Sequence, residues 1–152
     1  MRIAFDLDDT LIAGRQAFAS GSQRLWWPAS LLFPEALRGG AAALLRQLAQ
    51  GHEVWIYTTS HRSPFRVRCW LWCFGARVSG VINQEAHRQS VAGSPFHRFS
   101  KAPAAFGIDL LIDDLPGVAL ECAEQGCAVV IVAPDDADWV GRVLAAVKEI
   151  AR

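Results

Sequence analysis

Apolar positions in this chain fall into two alternating patterns. Short apolar runs come first, each too brief for a helix: Ile3-Ala4-Phe5, Val54-Trp55-Ile56-Tyr57, a weaker run from Val78 to Ile82, Ile108 to Ile112 with Asp109 inside it, and Ala128 to Val132. Runs of four or five apolar residues bounded by turn residues predict strands buried on both faces. Between them lie stretches with helical spacing. Leu37, Ala41, Leu44, Leu45 and Leu48 share one face, with Pro34 suited to a first helical position and Gly51 to the stop, although Gly39 and Gly40 weaken the first turn. Ser63-Pro64 opens a second helix that Gly75 ends, and Ser100 to Pro103 opens a short one that Gly107 ends. Pro116 to Gln125 precedes Gly126, and the last helix follows Asp135 or Asp136 with Trp139, Val140, Val143, Leu144, Val147 and Ile150 on one face.

Two segments fit neither pattern. Residues 12–33 hold Gly14, Gly21, Pro28 and the adjacent Trp26 and Trp27 without a clean period. They predict a compact excursion folded over the strand ends, with the two tryptophans packing it onto the sheet in preference to stacking on a ligand. Residues 83–100 read as loop with at most one helical turn, His87 and His97 lying on its surface. Strands alternating with helices predict an α/β fold: a five-stranded parallel sheet in a three-layer, Rossmann-like arrangement with helices on both faces and right-handed crossovers.

Composition changes this picture little. The chain has 152 residues, 52% of them apolar and 20% charged, the balance of one compact domain spanning 1–152. No apolar run approaches the ~18 residues of a membrane span, and the first strand starts almost at Met1, leaving no room for a signal peptide; the expectation is a cytoplasmic protein without membrane contact. Cys69, Cys73, Cys122 and Cys127 form no metal-binding spacing and read as reduced thiols, the first two within the core. Trp55, Trp70, Trp72 and Trp139 also read as core.

Charge is more informative. The net charge is zero, yet residues 61–101 carry seven cations against Glu85 alone, a balance of +6, while residues 102–152 carry three against nine acids, a balance of −6. A basic middle suits an anionic ligand or a solvated basic face.

The first strand runs into Asp6-Leu7-Asp8-Asp9-Thr10, three carboxylates within four positions. Such crowding is costly unless a cation or hydrogen-bond donors offset it, and an oxygen-only donor set suits Mg2+. In a parallel sheet the loops after the first, second and fourth strands converge on the carboxyl edge. There Asp6, Asp8 and Thr10 would meet Thr58 and Thr59 from the second strand, Asp113 and Asp114 from the fourth, and Lys101 from the helix before it. Acids make a metal site; hydroxyls, backbone N–H groups and an ammonium make a phosphate site beside it.

Asp6-x-Asp8-x-Thr10, the hydroxyls after the second strand, Lys101 before the fourth and Asp113-Asp114 at its end resemble, in order and position, the four signature motifs of the haloacid dehalogenase superfamily, across residues 1–132. The resemblance implies a Mg2+-dependent phosphomonoester hydrolase of the phosphatase branch. Asp6 would attack phosphorus and carry it as an aspartyl phosphate, and Asp8 would act as general acid and then general base. Asp6, the backbone carbonyl of Asp8, Asp113 and Asp114 would hold Mg2+, while Thr58 (in preference to Thr59) and Lys101 would bind the phosphoryl group. With only 12–33 and 83–100 available as insertions, the chain resembles members with little or no cap. The substrate would be a small phosphate ester, a nucleotide or a phosphorylated polymer end. The other reading is a regulatory module keeping fold and metal site with little turnover; retention of Asp8, whose side chain metal binding does not need, favours the enzyme. His61 and Arg62, following the phosphate loop, are further candidates for anion contact. A signalling receiver domain fits poorly, because no acid follows the third strand until Glu85.

Overall fold

The computed structural model describes residues 1–14 and 16–152; position 15, within the expected excursion, lies outside them. In chain order the elements are β1 (Arg2–Phe5), β2 (Ser22–Gln23), α1 (Ala29–Leu32), β3 (Leu37–Arg38), α2 (Ala41–Leu48), β4 (Glu53–Tyr57), α3 (Pro64–Cys73), β5 (Gly80–Ile82), α4 (Gln84–Val91), β6 (Leu110–Asp113), α5 (Pro116–Gln125), β7 (Ala128–Ile131) and α6 (Trp139–Ile150), with 3-10 turns at Pro95–Arg98 and Pro103–Phe106.

Five strands form a parallel sheet in the order β5-β4-β1-β6-β7. The chain builds outward from β1 through β4 to β5, then returns to the other side of β1. The order therefore reverses between β1 and β6, the crevice where open α/β sheets bind ligands. Period-2 alternation divides the strand residues between two cores. Ile3, Phe5, Val54, Ile56, Leu110 and Ile112 face α2, α3 and α6, while Ala4, Tyr57, Ile82 and Leu111 face α5 and the start of α4. This is the three-layer α/β architecture expected from the alternating pattern. Among the described residues no helix is long and apolar enough to cross a membrane.

The expected helix from Pro34 is corrected. Leu37 and Arg38 instead form β3, antiparallel to β2, and the helix starts at Ala41. Gly39 and Gly40 are the cause: a Cβ on Gly39 would stand 2.0 Å from the Ser20 carbonyl oxygen, and Gly40 turns the chain at φ +84°. Residues 83–100 are corrected too, because α4 makes two helical turns there. Asn83 caps it by accepting from the Ala86 N–H at 3.0 Å, and its buried stripe is only His87 and Val91, too narrow for periodicity to register.

Several side chains lie on the other side of the surface from the one expected. His87 is buried. Trp26 and Trp27 are 81% and 69% exposed, and Trp72 is also exposed, so none of the three packs the core. Cys73 is exposed and Cys69 half-buried. Asp138 takes the cap position of α6 without a side-chain cap bond; Asp136 accepts from the Asp138 N–H and pairs with Arg142.

Candidate active site

The carboxyl edge is assembled by strand ends. The Asp6 N–H donates to the Ile112 carbonyl at 2.8 Å, extending the β1–β6 pairing by one residue and setting Asp6 beside the end of β6. The chain then turns sharply, with Leu11 and Ile12 both donating to the Leu7 carbonyl. Asp9 occupies the left-handed region at φ +59°, which aspartate tolerates, and its carboxylate accepts from Gly14 N–H at 2.8 Å. Asp9 thus shapes the turn, and its charge adds to the raise of Asp114.

Lys101 is the centre of the site. Its ammonium, 3% exposed, donates to Asp6 at 2.5 Å and to Asp113 on the adjacent strand. The second oxygen of Asp113 accepts from the Leu115 N–H. Burial pushes the Asp6 carboxyl up to about 7; Lys101 pulls it down and Asp113 pushes it further up. Burial depresses Lys101, but Asp6 and Asp113 together outweigh it and hold the ammonium above its ordinary value. Asp114, half-buried and raised by burial and then by Asp113, accepts from the Thr10 hydroxyl at 3.3 Å.

The remaining candidates stand around this cluster. Asp8 receives Arg62 at 2.6 Å. Thr58 is fully buried; its hydroxyl accepts from the Ser60 N–H and donates to the Ser60 hydroxyl, both at 3.1 Å. Thr59 and His61 are exposed. Asp6, Asp113 and Lys101 are therefore in direct contact, Asp8, Asp114 and Thr10 make separate pairs, and Thr59 joins neither.

Three parts of the site were not evident in the sequence. The first is the seat of Lys101. The Tyr57 hydroxyl accepts from the Ala102 N–H at 2.8 Å and meets His87 Nδ1 at 2.5 Å; Glu121 accepts from Lys101 N–H and from Ser100, and Gln125 donates to the Lys101 carbonyl. The second is Arg62 as the partner of Asp8. The third is Arg38, wholly buried, whose guanidinium donates to the carbonyls of Thr10, Ala133 and Asp136 between the rings of Phe18 and Trp139. A tyrosine at the end of the second strand, an arginine beside paired glycines, and Arg62 as a candidate anion contact were their traces in the sequence.

His87 yields a pH prediction. Tyr57 accepts from Ala102, and an unprotonated His87 Nδ1 gives its hydroxyl proton an acceptor; burial, partly opposed by Phe99 and Glu121, depresses the His87 pKa and favours that neutral ring. Below 6.5 the unfolded chain takes up a proton that folded His87 resists, so stability falls with pH from there downward. Urea unfolding of the wild type should lose stability between pH 7 and 5 more steeply than that of His87→Asn. Equal slopes would refute the assignment.

The donor set suits a hard divalent cation. Two buried carboxylates share one ammonium, and burial lifts Asp6 to about 7 despite that contact, so a further cation at this edge would favour its ionised form. Among the described residues no group of three or more His, Cys, Asp or Glu side chains forms a metal cage. Mg2+ commonly takes only one or two carboxylates, completing its shell with waters and substrate phosphate, so the pair is sufficient.

The strand order reverses at β1, and the acids and hydroxyl of the flanking strand ends meet Lys101 from the loop before β6, an arrangement similar to the one the four sequence motifs imply. Among solved structures, a chain in the structure of the Pnkp1/Rnl/Hen1 complex superposes with a TM-score of 0.55 at 16% identity, over 89% of this chain and 47% of that one. The fission yeast RNA polymerase II CTD phosphatase Fcp1 bound to beryllium fluoride gives 0.49 at 15% identity, over 90% of this chain and 42% of that one. This chain thus spans about half the length of each. No protein-family model and no curated protein sequence matches it.

Proposed function

We propose that the protein is a phosphomonoester hydrolase working through an aspartyl phosphate on Asp6, with all of 1–152 acting as one catalytic unit. The observation that carries this reading is the buried Lys101 clasping Asp6 and Asp113 at the switch point of the sheet. Outside phosphoryl transfer such an arrangement has little to recommend it, since it holds two carboxylates and an ammonium out of water at considerable cost.

Asp6 attacks phosphorus in line with the leaving oxygen, forming the acyl phosphate and breaking the ester bond. Asp8 gives the departing alkoxide its proton, then takes one from the water that cleaves the acyl phosphate. In the substrate-free site Arg62 pairs with Asp8 at 2.6 Å; an incoming phosphoryl group competes for that guanidinium, and the released Asp8 takes from solvent the proton it then gives to the leaving oxygen. Lys101 and the Thr58 hydroxyl bind the phosphoryl oxygens, and Lys101 is already fixed through Tyr57, Glu121 and Gln125. Thr59, exposed, is the lesser candidate. Mg2+ held by Asp6, the Asp8 carbonyl, Asp113 and Asp114 would supply charge neutralisation at the transferring group.

The test is hydrolysis of a panel of phosphomonoesters with and without Mg2+, on the wild type and Asp8→Asn. The wild type should need Mg2+, and the variant should lose roughly 10²–10⁴-fold in kcat, the ordinary contribution of a general acid–base. An inactive wild type that still binds Mg2+ by calorimetry would favour a regulatory module instead.

A further inference from the structure

Helix α3 leaves the site two residues after Arg62, the partner of Asp8, and its outer face has no counterpart within the fold. Val67, Trp70 and Leu71 turn inward, while Phe65 and Trp72 stand 76% and 63% exposed. Seven residues apart, these two rings lie on one side of the helix about 10 Å from each other along its axis. Arg68 lies between them and Arg77 at the far end, and all four border a shallow cavity of about 500 Å³. Arg66 is tied to the Leu32 carbonyl and stacks on Phe33, and Arg68 donates to the Ser79 carbonyl at 2.7 Å. Arg66 therefore belongs to the neighbouring pocket with Arg62 and Trp70, whereas Arg68 and Arg77, on the face of the two rings, pair among the described residues with no carboxylate.

We infer that this face binds single-stranded nucleic acid, whose phosphorylated end enters the Asp6 site. The terminal-phosphate part rests on the phosphatase reading; the binding face does not. Exposed large aromatics on a helix mark an interaction surface, and the charge around them selects a polyanion. Rings spaced along a row of cations require a ligand with repeating π-faces as well as repeating negative charge. Single-stranded nucleic acid provides both, with bases to stack and phosphates to meet the guanidinium groups. An acidic phosphopeptide supplies the charge without the repeating rings, and a duplex keeps its bases stacked inside.

The test is fluorescence anisotropy with a labelled oligothymidylate of about six nucleotides bearing a terminal phosphate, in an Asp6→Asn background that keeps the probe intact. Binding should weaken with salt at a slope of about −1.4 in log K against log salt, about 0.7 for each of two arginine contacts. Phe65→Ala and Trp72→Ala should each weaken it by about tenfold. Arg68→Ala with Arg77→Ala should flatten the slope. In the otherwise wild-type enzyme, Phe65→Ala and Trp72→Ala should leave hydrolysis of p-nitrophenyl phosphate unchanged, and being exposed they should leave the melting temperature unchanged. The inference is overturned if the two ring variants bind as the parent does, if duplex of the same length binds as tightly, or if an acidic phosphopeptide binds and the oligonucleotide does not. If the ring-dependent binding appears while p-nitrophenyl phosphate is untouched by wild-type protein, the binding face stands and the phosphatase reading falls.

Discussion

Asp6→Asn should abolish turnover of every phosphomonoester, by roughly 10⁴-fold or more, while leaving the protein at least as stable as the wild type. The two halves of this expectation come from one piece of geometry. Asp6 shares the buried Lys101 ammonium with Asp113, and its loss removes the group proposed to attack phosphorus. The same carboxylate is a burden on folding. It ionises at 3.8 when unfolded but only near 7 in the folded protein. Between those values the folded state keeps a proton that the unfolded chain gives up, so this group makes stability fall as pH rises through the window. Asparagine leaves Lys101 paired with Asp113 alone and removes that slope. On the proposed role of Asp6 as a ligand, Mg2+ would bind only the ionised carboxylate, so it should raise the wild type's melting temperature more at pH 8 than at pH 5 and do little for Asp6→Asn. Thermal melts with Mg2+ and with EDTA at both pH values check this without any activity assay. A variant that unfolds several degrees below the wild type at pH 8 would show Asp6 to be a structural anchor and sink the argument.

What the sequence disclosed and what it withheld divide along a physical line. The central strands were legible because burial on both faces demands uninterrupted apolar runs, and Asp6, Thr58 and Asp113 could be placed because each directly follows such a run. Lys101 was legible by its position before the fourth strand. Its seat was not, since the bonds from Tyr57, Glu121 and Gln125 link residues far apart in the chain. In α3 apolar and aromatic residues occur all around the helix, so composition could not tell buried Trp70 from exposed Trp72; the packing of Val67 and Leu71 decides that. The excursion was legible as irregular, but its strands are two residues long, below the reach of any period, and Leu37 lent itself to a helical pattern that Gly39 and Gly40 interrupt. Arg38, at the end of β3, was hidden by the same misreading.

That arginine carries the largest expected effect on stability. Arg38→Met should cost on the order of 3–5 kcal/mol in urea unfolding, enough to threaten a domain of this size. Methionine fills similar volume between Phe18 and Trp139 but leaves the buried Thr10 carbonyl and the half-buried Ala133 and Asp136 carbonyls without their donor. Arg38→Lys should recover little, because an ammonium cannot lie flat between two rings and reach three acceptors as the guanidinium fork does. By contrast Arg142→Ala, which breaks a half-exposed pair with Asp136, should cost under about 1 kcal/mol. The loss should also reach the chemistry. Arg38 holds the Thr10 backbone, and the Thr10 hydroxyl holds Asp114, so the folded fraction of Arg38→Met should show a lower kcat and weaker Mg2+ binding. If Arg38→Met unfolds within about 1 kcal/mol of the wild type, the three carbonyls must find water, and Arg38 is not what joins the excursion to the catalytic edge.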